Sequence, residues 1–103
     1  MAYTEFPYIR ELCVEFEWDP AKAAANLAKH GVPFELATEV FDDDRLLIDE
    51  DRDSCGEYRG RAIGRSRAGL LFVVYTEKTD ALIRIISARK ALAHERKAYE
   101  SVS

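Results

Sequence analysis

The chain has 103 residues, of which 48% are hydrophobic, 11% aromatic and 33% charged. This length suits one domain, and the apolar fraction excludes a chain that stays unfolded. No apolar run approaches the roughly 18 residues of a membrane span, and no basic-then-apolar leader opens the sequence. We therefore expect a soluble, cytoplasmic protein without membrane contact.

The net charge of −4 conceals a strong asymmetry between the two halves of the chain. Residues 1–57 carry 5 Lys or Arg and 15 Asp or Glu, which gives −10, whereas residues 58–103 carry 10 and 4, which gives +6. Such a split is typical of proteins that bind nucleic acid or a charged partner. A dipolar surface without any ligand has the same composition, so charge alone leaves both interpretations open.

The first predicted elements are a strand and a helix. Residues 14–18 alternate apolar and acidic side chains, which predicts a strand with one buried face. Asp19 as N-cap, Pro20 in the first turn and Gly31 as the stop predict a helix from Pro20 to about Lys29. The helical period predicts a buried face of Ala23, Ala24, Leu27 and Ala28 and an outward face of Lys22, Asn26 and Lys29.

A second helix is predicted to begin at Pro33 and to end at the acidic run Asp42–Asp44, whose charge is unfavourable at a helix C-terminus. Leu46–Ile48 then indicates a short strand. The polar and acidic stretch from Asp49 to Gly56 is expected to form a loop.

The second half of the chain predicts a β-meander. Tyr58–Arg65 alternates weakly, and the continuous apolar run Leu70–Tyr75 is typical of a central strand buried on both faces. Leu82–Ile86 follows as a third strand, and turns are predicted at Ser66–Gly69 and Lys78–Asp80.

The final helix is predicted over Ala88–Glu100, with Ser87 as its cap. Glu95 falls within its apolar stripe, and a carboxylate that faces the protein body needs a cationic partner. Arg84, which lies between two isoleucines, is the nearest candidate in sequence. Pairing of Arg84 with Glu95 and contact of Arg84 with phosphate both remain open, and the two are compatible.

The sequence lacks the usual nucleophile and metal motifs. Cys13 and Cys55 are far apart, and no histidines have metal-ligand spacing. His94 falls on a polar helix face and is interpreted as a surface histidine, whereas a capping role for His30 is favoured over catalysis. We therefore predict no metal site.

Cationic groups on ordered elements are the chemistry that the sequence does offer. Arginine matches phosphate oxygens with two parallel donors, and cleavage of RNA by its own 2′-OH requires the developing charge to be neutralised. Proton transfer would then fall to Glu, His, Tyr or a desolvated Lys. The candidate cations are Lys22, Lys29, Arg59, Arg61, Arg84 and Arg89.

Three blocks of the sequence resemble the BrnT family, from about Phe16 to Glu100. The middle block contributes Glu57, Arg59 and Ile63-Gly64. The two end blocks are longer and more specific, and they comprise Phe16-Glu17-Trp18-Asp19, Lys22, Asn26, Lys29-His30-Gly31-Val32, Phe34-Glu35, Ala37 and Val40-Phe41, then Arg84 to Ala91, Glu95-Arg96 and Tyr99.

The resemblance implies the toxin of a type II toxin–antitoxin module. The implied fold is a compact RelE-like α+β domain, in which an antiparallel sheet packs with two N-terminal helices and one C-terminal helix. The implied activity is a metal-independent endoribonuclease that needs no cofactor and inhibits translation. The implied partners are RNA and a BrnA-like ribbon–helix–helix antitoxin, with DNA bound only through the antitoxin complex.

The resemblance also carries over candidate site residues, one position at a time. The expected active-site residues are Lys22, Lys29, His30, Arg59, Arg84 and Arg89, and the expected supporting residues are Ser87, Glu95 and Tyr99. Lys78 departs from the pattern, because an arginine is common there and lysine lacks the two-donor fork.

The resemblance divides the chain into an N-terminal extension, residues 1–13, and one toxin domain, residues 14–103. In the extension, Tyr3, Phe6, Tyr8 and Ile9 are the residues able to pack on the body. The alternative function is a non-catalytic interaction subunit of a toxin–antitoxin repressor complex.

Overall fold

A computed structural model describes residues 14–51, 59–79 and 81–101. These residues form five strands, three α-helices and one short 3₁₀ helix. In chain order the elements are β1 (Glu15–Glu17), α1 (Pro20–His30), α2 (Phe34–Ala37), the 3₁₀ helix (Thr38–Asp42), β2 (Leu47–Asp51), β3 (Arg59–Ser66), β4 (Gly69–Thr79), β5 (Leu82–Lys90) and α3 (Ala93–Ser101).

The five strands form one sheet in the order β1-β5-β4-β3-β2. Strands β2 to β5 pair antiparallel with their neighbours, whereas the short β1 runs parallel to β5. The predicted α+β class and the β-meander are therefore confirmed. The turn at Ser66–Gly69 is also present, and Gly69 has a φ of 104°, which favours glycine.

One face of the sheet carries the larger core cluster. Phe34 and Val40, from α2 and the 3₁₀ helix, pack there with Val73, Tyr75 and Ile85 of the central strands. A Cβ on Gly60 would collide with the Tyr75 ring, so this ring lies directly on the β3 backbone.

A smaller cluster lies against α3. It joins Ile63, Leu70, Ala91 and Tyr99, with Phe72 packed beside them. Helix α3 packs against β3 and therefore covers only part of this face of the sheet. The charged side chains of the strands lie on the part of the face that α3 leaves uncovered.

The predicted buried face of α1 is wrong except at Ala23, which is partly buried against the larger core cluster. Leu27 is 48% exposed, whereas Asn26 is buried. The Asn26 amide donates to the carbonyl oxygen of Ala88 (2.8 Å) and accepts from the Ala88 N–H (3.2 Å). The side chain thus occupies the outer edge of β5 as a neighbouring strand would, and this pairing overrides the apolar pattern.

The predicted boundary between the last strand and the last helix is also wrong. Strand β5 continues to Lys90, because Ser87 and Ala88 pair with Val74 and Val73 of β4. Ser87 is therefore a strand residue and not a helix cap. The helix begins at Ala93, where the Glu95 carboxylate accepts from the Leu92 N–H at 2.8 Å and supplies the cap instead.

Residues 49–51, which were predicted to begin the acidic loop, belong to β2 instead. The rest of that loop lies outside the described residues, as do both cysteines, Glu57, the turn residue Asp80 and the expected extension at residues 1–13. In the described part of the chain, no helix has the length and apolar character needed to cross a membrane.

Candidate functional site

Five arginines of the described strands share one face of the sheet, and one of them, Arg65 of β3, has its guanidinium 6.0 Å from the centroid of the Tyr99 ring of α3. Arg61 and Arg59 precede Ile63 by two and four residues in β3, so all three point to the face that carries α3. On β5, Arg89 lies opposite Phe72 and Arg84 lies opposite Thr76, and both partners belong to the same face of β4. We call Arg59, Arg61, Arg84 and Arg89 the arginine face.

Arg89 is the partner of Glu95, so the Arg84–Glu95 pair that the sequence offered as one alternative is not formed. Two hydrogen bonds join them, Nη1 to Oε1 and Nη2 to Oε2, each at 2.8 Å. These bonds, together with the Leu92 N–H, hold the pKa of Glu95 below its ordinary value despite partial burial. The Arg89 guanidinium also lies 4.2 Å from the centroid of the Phe72 ring.

Arg84 pairs instead with Glu17. Parallel pairing of β1 and β5 places the two residues opposite each other, and Arg84 Nη1 donates to Glu17 Oε2 at 2.9 Å. Both side chains are 37% exposed, so the pair lies at the surface, where such pairs contribute little stability. The sequence signal for this contact was the alternation of Glu17 with the apolar residues Phe16 and Trp18, which are partly buried.

Arg61, which was absent from the expected active-site set, pairs with an exposed carboxylate. Its Nη2 donates to Asp49 Oδ2 at 2.8 Å across the β2–β3 pair. Asp49 is 71% exposed, and the buried Nε of Arg61 has no hydrogen-bond partner. The alternation that places Arg59 and Ile63 on one face was the signal for Arg61 as well.

A cleft of about 490 Å³ lies between the β2–β3 pair and α3. Leu47, Ile63 and Phe72 line its apolar side. His94, interpreted from the sequence as a surface residue, is indeed exposed, but it lies at this cleft with Nε2 3.9 Å from Glu95 Oε2. The cleft therefore combines an apolar wall with cationic, acidic and imidazole groups.

The three expected active-site residues of α1 do not belong to the arginine face or to the cleft lining. Lys22, Lys29 and His30 are exposed on the helix, which packs against β5. Within the described residues, none of these side chains makes an ion pair or hydrogen bond with the arginine face. Lys29 and His30 lie in the last turn, where a cation stabilises the helix dipole, and Gly31 ends the helix with a φ of 73°.

Tyr99 fixes α3 to the segment after the 3₁₀ helix. Its hydroxyl donates to Asp43 Oδ2 at 2.6 Å, and the same carboxylate accepts from the N–H groups of Arg45 and Arg65. Burial raises the pKa of Asp43, but these donors outweigh it, so that the pKa falls below its ordinary value. The bond to Asp43 raises the pKa of Tyr99 and keeps the phenol protonated.

Metal-binding groups are sparse in this region. The described ranges bring together no set of three or more His, Cys, Asp or Glu side chains that fits a metal ion. The guanidinium groups of the arginine face can bind anions and neutralise their charge, and the exposed His94 lies at the adjacent cleft.

Comparison with known proteins decides the family. A family model described as a ribonuclease toxin, BrnT, of type II toxin–antitoxin systems matches residues 18–95. The chain belongs to this family. The BrnT match spans the whole arginine face and Glu95, whereas Glu17 and Tyr99 lie just outside it.

A solved BrnT structure supports the same conclusion. The chain is similar to the Brucella abortus ribonuclease toxin BrnT, with a TM-score of 0.59 and 26% sequence identity, over 77% of this chain and 97% of that chain. Comparison with curated protein sequences gives no significant match.

Proposed function

We propose that this BrnT-family chain is a metal-independent endoribonuclease that inhibits translation in the cytoplasm. The toxin would be a single RelE-like domain over residues 14–103, preceded by an extension at residues 1–13. The observation that carries the proposal is the convergence of Arg59, Arg61, Arg84 and Arg89 on one sheet face.

The arginine face supports cleavage by neutralising charge. Attack of the 2′-OH on the adjacent phosphate builds negative charge on the phosphoryl oxygens, and guanidinium groups stabilise that charge. Arg84 is suited to this role because its partner Glu17 is only half-buried and a phosphate can displace it. Arg61 is suited because only Nη2 holds Asp49, whereas Nη1 has no hydrogen-bond partner among the described residues and can contact a phosphate. The proposal assigns phosphate contact to these two and to Arg59.

Arg89 has a different proposed role. Two of its nitrogens are committed to the Glu95 carboxylate, which has only 9% of its side chain exposed. Arg89 therefore positions α3, and with it His94, at the edge of the cleft. Lys22, Lys29 and His30 are assigned contacts with RNA phosphates that extend beyond the arginine face.

The partner in this proposal is a BrnA-like ribbon–helix–helix antitoxin. It would inhibit the toxin by covering the arginine face, and the complex would bind DNA through the antitoxin. The family membership supports an antitoxin partner in general, and the +6 charge of residues 58–103 supports an acidic contact surface on that partner.

Cleavage of a defined RNA in the presence of EDTA tests the proposal. The purified chain is expected to cut the RNA with equal rates with and without chelator. An intact RNA under both conditions, with and without added ribosomes, would contradict the proposal.

A non-catalytic interaction subunit is the second candidate. It is favoured by one observation: Arg84 and Arg89 already hold the carboxylates of Glu17 and Glu95. Expression of the chain without an antitoxin discriminates the two functions. Growth arrest with RNA degradation indicates the nuclease, whereas normal growth with intact RNA indicates the interaction subunit.

A further inference from the structure

The cleft between the β2–β3 pair and α3 differs in character from the arginine face beside it. Its wall is apolar, formed by Leu47, Ile63 and Phe72, and its volume of about 490 Å³ falls within the range of small-molecule sites. A phosphate gains nothing from such a wall, whereas a flat nucleobase buries its apolar faces there.

The position of the cleft suits a base whose phosphate is held next to it. Arg61 lines the cleft and also belongs to the arginine face. An RNA whose phosphate contacts Arg61 therefore has a neighbouring base within reach of the apolar wall. Single-stranded RNA is commonly read in this way, through unstacked bases held beside backbone contacts.

Asp49 supplies the polar recognition group at the rim. Its Oδ2 is held by Arg61 at 2.8 Å, whereas its Oδ1 accepts no hydrogen bond from any residue that the structure describes. The pair with Arg61 fixes the orientation of the Asp49 carboxylate, and Oδ1 is left as a hydrogen-bond acceptor for a ligand.

Guanine matches that acceptor best. Its Watson–Crick edge presents the N1–H and N2–H donors side by side, so one donor meets the open Oδ1 and the other meets the second lone pair of Oδ2. Uracil presents one N–H between two carbonyl oxygens, which a carboxylate repels. Adenine and cytosine present an amino group beside an acceptor nitrogen, which also disfavours the carboxylate.

We propose that this cleft is a base subsite that selects guanine through Asp49. The inference rests on the proposed function, because it names the part of an RNA that the nuclease would hold beside the phosphate. It assigns Asp49 as a specificity-determining residue and the cleft wall as the surface that the base covers.

Binding of the four nucleoside 3′-monophosphates to the full chain tests the subsite without any cleavage step. We expect guanosine 3′-monophosphate to bind about tenfold more tightly than the uridine compound, the ratio typical of one good base contact. Amide shifts in ¹H–¹⁵N spectra are expected at Leu47, Ile63 and Ala98, which line the cleft. Equal affinities for all four nucleotides would overturn the proposal.

Two variants with matched controls locate the effect. Ala98→Trp fills the cleft and is expected to weaken binding of the guanosine compound at least about tenfold. Ala93→Trp on the same helix is the control and is expected to leave this binding unchanged, because Ala93 does not line the cleft. Asp49→Ala is expected to abolish the preference for guanine, whereas Asp44→Ala, another exposed acidic residue, retains it. Equal effects within either pair would overturn the proposal.

The outcome separates this inference from the proposed function. Selective binding of guanosine 3′-monophosphate by a chain that leaves RNA intact would contradict the nuclease but support the subsite. RNA cleavage by a chain that binds the four nucleotides without preference would support the nuclease and overturn the subsite.

Discussion

Arg89 and Glu95 form a two-point ion pair that joins the end of β5 to the first turn of α3. The Glu95 side chain is 9% exposed, and its Oε1 also accepts from the Leu92 N–H. One carboxylate thus caps the helix and anchors it to the sheet. This connection holds the first turn of α3, and with it His94, at the cleft, while the Tyr99–Asp43 hydrogen bond holds the later part of the helix.

Replacement of Glu95 by glutamine tests the connection. Glu95→Gln removes the charge and one of the two matched acceptors, and we expect the free energy of unfolding to fall by about 2 kcal/mol. Urea denaturation measures this loss. Glu15→Gln, an exposed glutamate on β1, is the matched control with an expected change below about 0.5 kcal/mol. A loss no larger in Glu95→Gln than in the control would show that the pair is not structural.

The dependence of stability on pH provides a separate test. Because Arg89 holds the pKa of Glu95 below its ordinary value of 4.5, ionised Glu95 stabilises the fold above pH 4.5. This contribution is lost as the pH falls through the folded-state pKa. The difference in unfolding free energy between wild type and Glu95→Gln should therefore shrink on acidification from about pH 6 to about pH 3. A difference that stays constant or grows over this interval would contradict the lowered pKa.

Asn26 is expected to be a structural residue despite its polar character. Asn26→Ala leaves the N–H and carbonyl of Ala88 without their partner, and each unsatisfied buried group costs about 1–3 kcal/mol. We expect a loss of about 3 kcal/mol in urea denaturation. Lys22→Ala, on the exposed side of α1, is the control and should change little. Comparable small losses for both variants would contradict the edge-pairing role.

Glu17 is expected to restrain Arg84. Glu17→Gln removes a half-exposed ion pair, so stability should change by less than about 1 kcal/mol. The released guanidinium should bind phosphate more readily, so the affinity for a cleavage-resistant 2′-O-methyl oligonucleotide should increase. Glu15→Gln again serves as the control. Unchanged affinity in Glu17→Gln would remove Arg84 from the phosphate contacts.

The meander was predictable because its signals are local. The apolar run Leu70–Tyr75 and the turn that ends at Gly69 depend on neighbouring residues, and both are present in the structure. Alternation along β3 placed Arg59 on the same face as Ile63 in the same way.

The errors arise where pairing between separate elements overrides a local sequence pattern. Asn26 is buried because the edge of β5 needs a hydrogen-bonding partner 62 residues away, which no helical period reveals. Pairing with β4 extends β5 past Ser87, and this extension brings Arg89 rather than Arg84 to Glu95. The cleft at His94 could not be predicted from the sequence either, because it forms only where α3 packs beside the β2–β3 pair.

The most direct test of the arginine face is the rate of RNA cleavage by Arg61→Ala and Arg67→Ala in the presence of EDTA. Arg67 lies in the β3–β4 turn, 79% exposed and paired with Glu39, so Arg67→Ala removes the same charge outside the arginine face. With both variants folded by circular dichroism, we expect Arg61→Ala to lose about 100-fold or more in rate and Arg67→Ala to retain the wild-type rate. Equal rates for the two variants would contradict the assignment of cleavage to the arginine face.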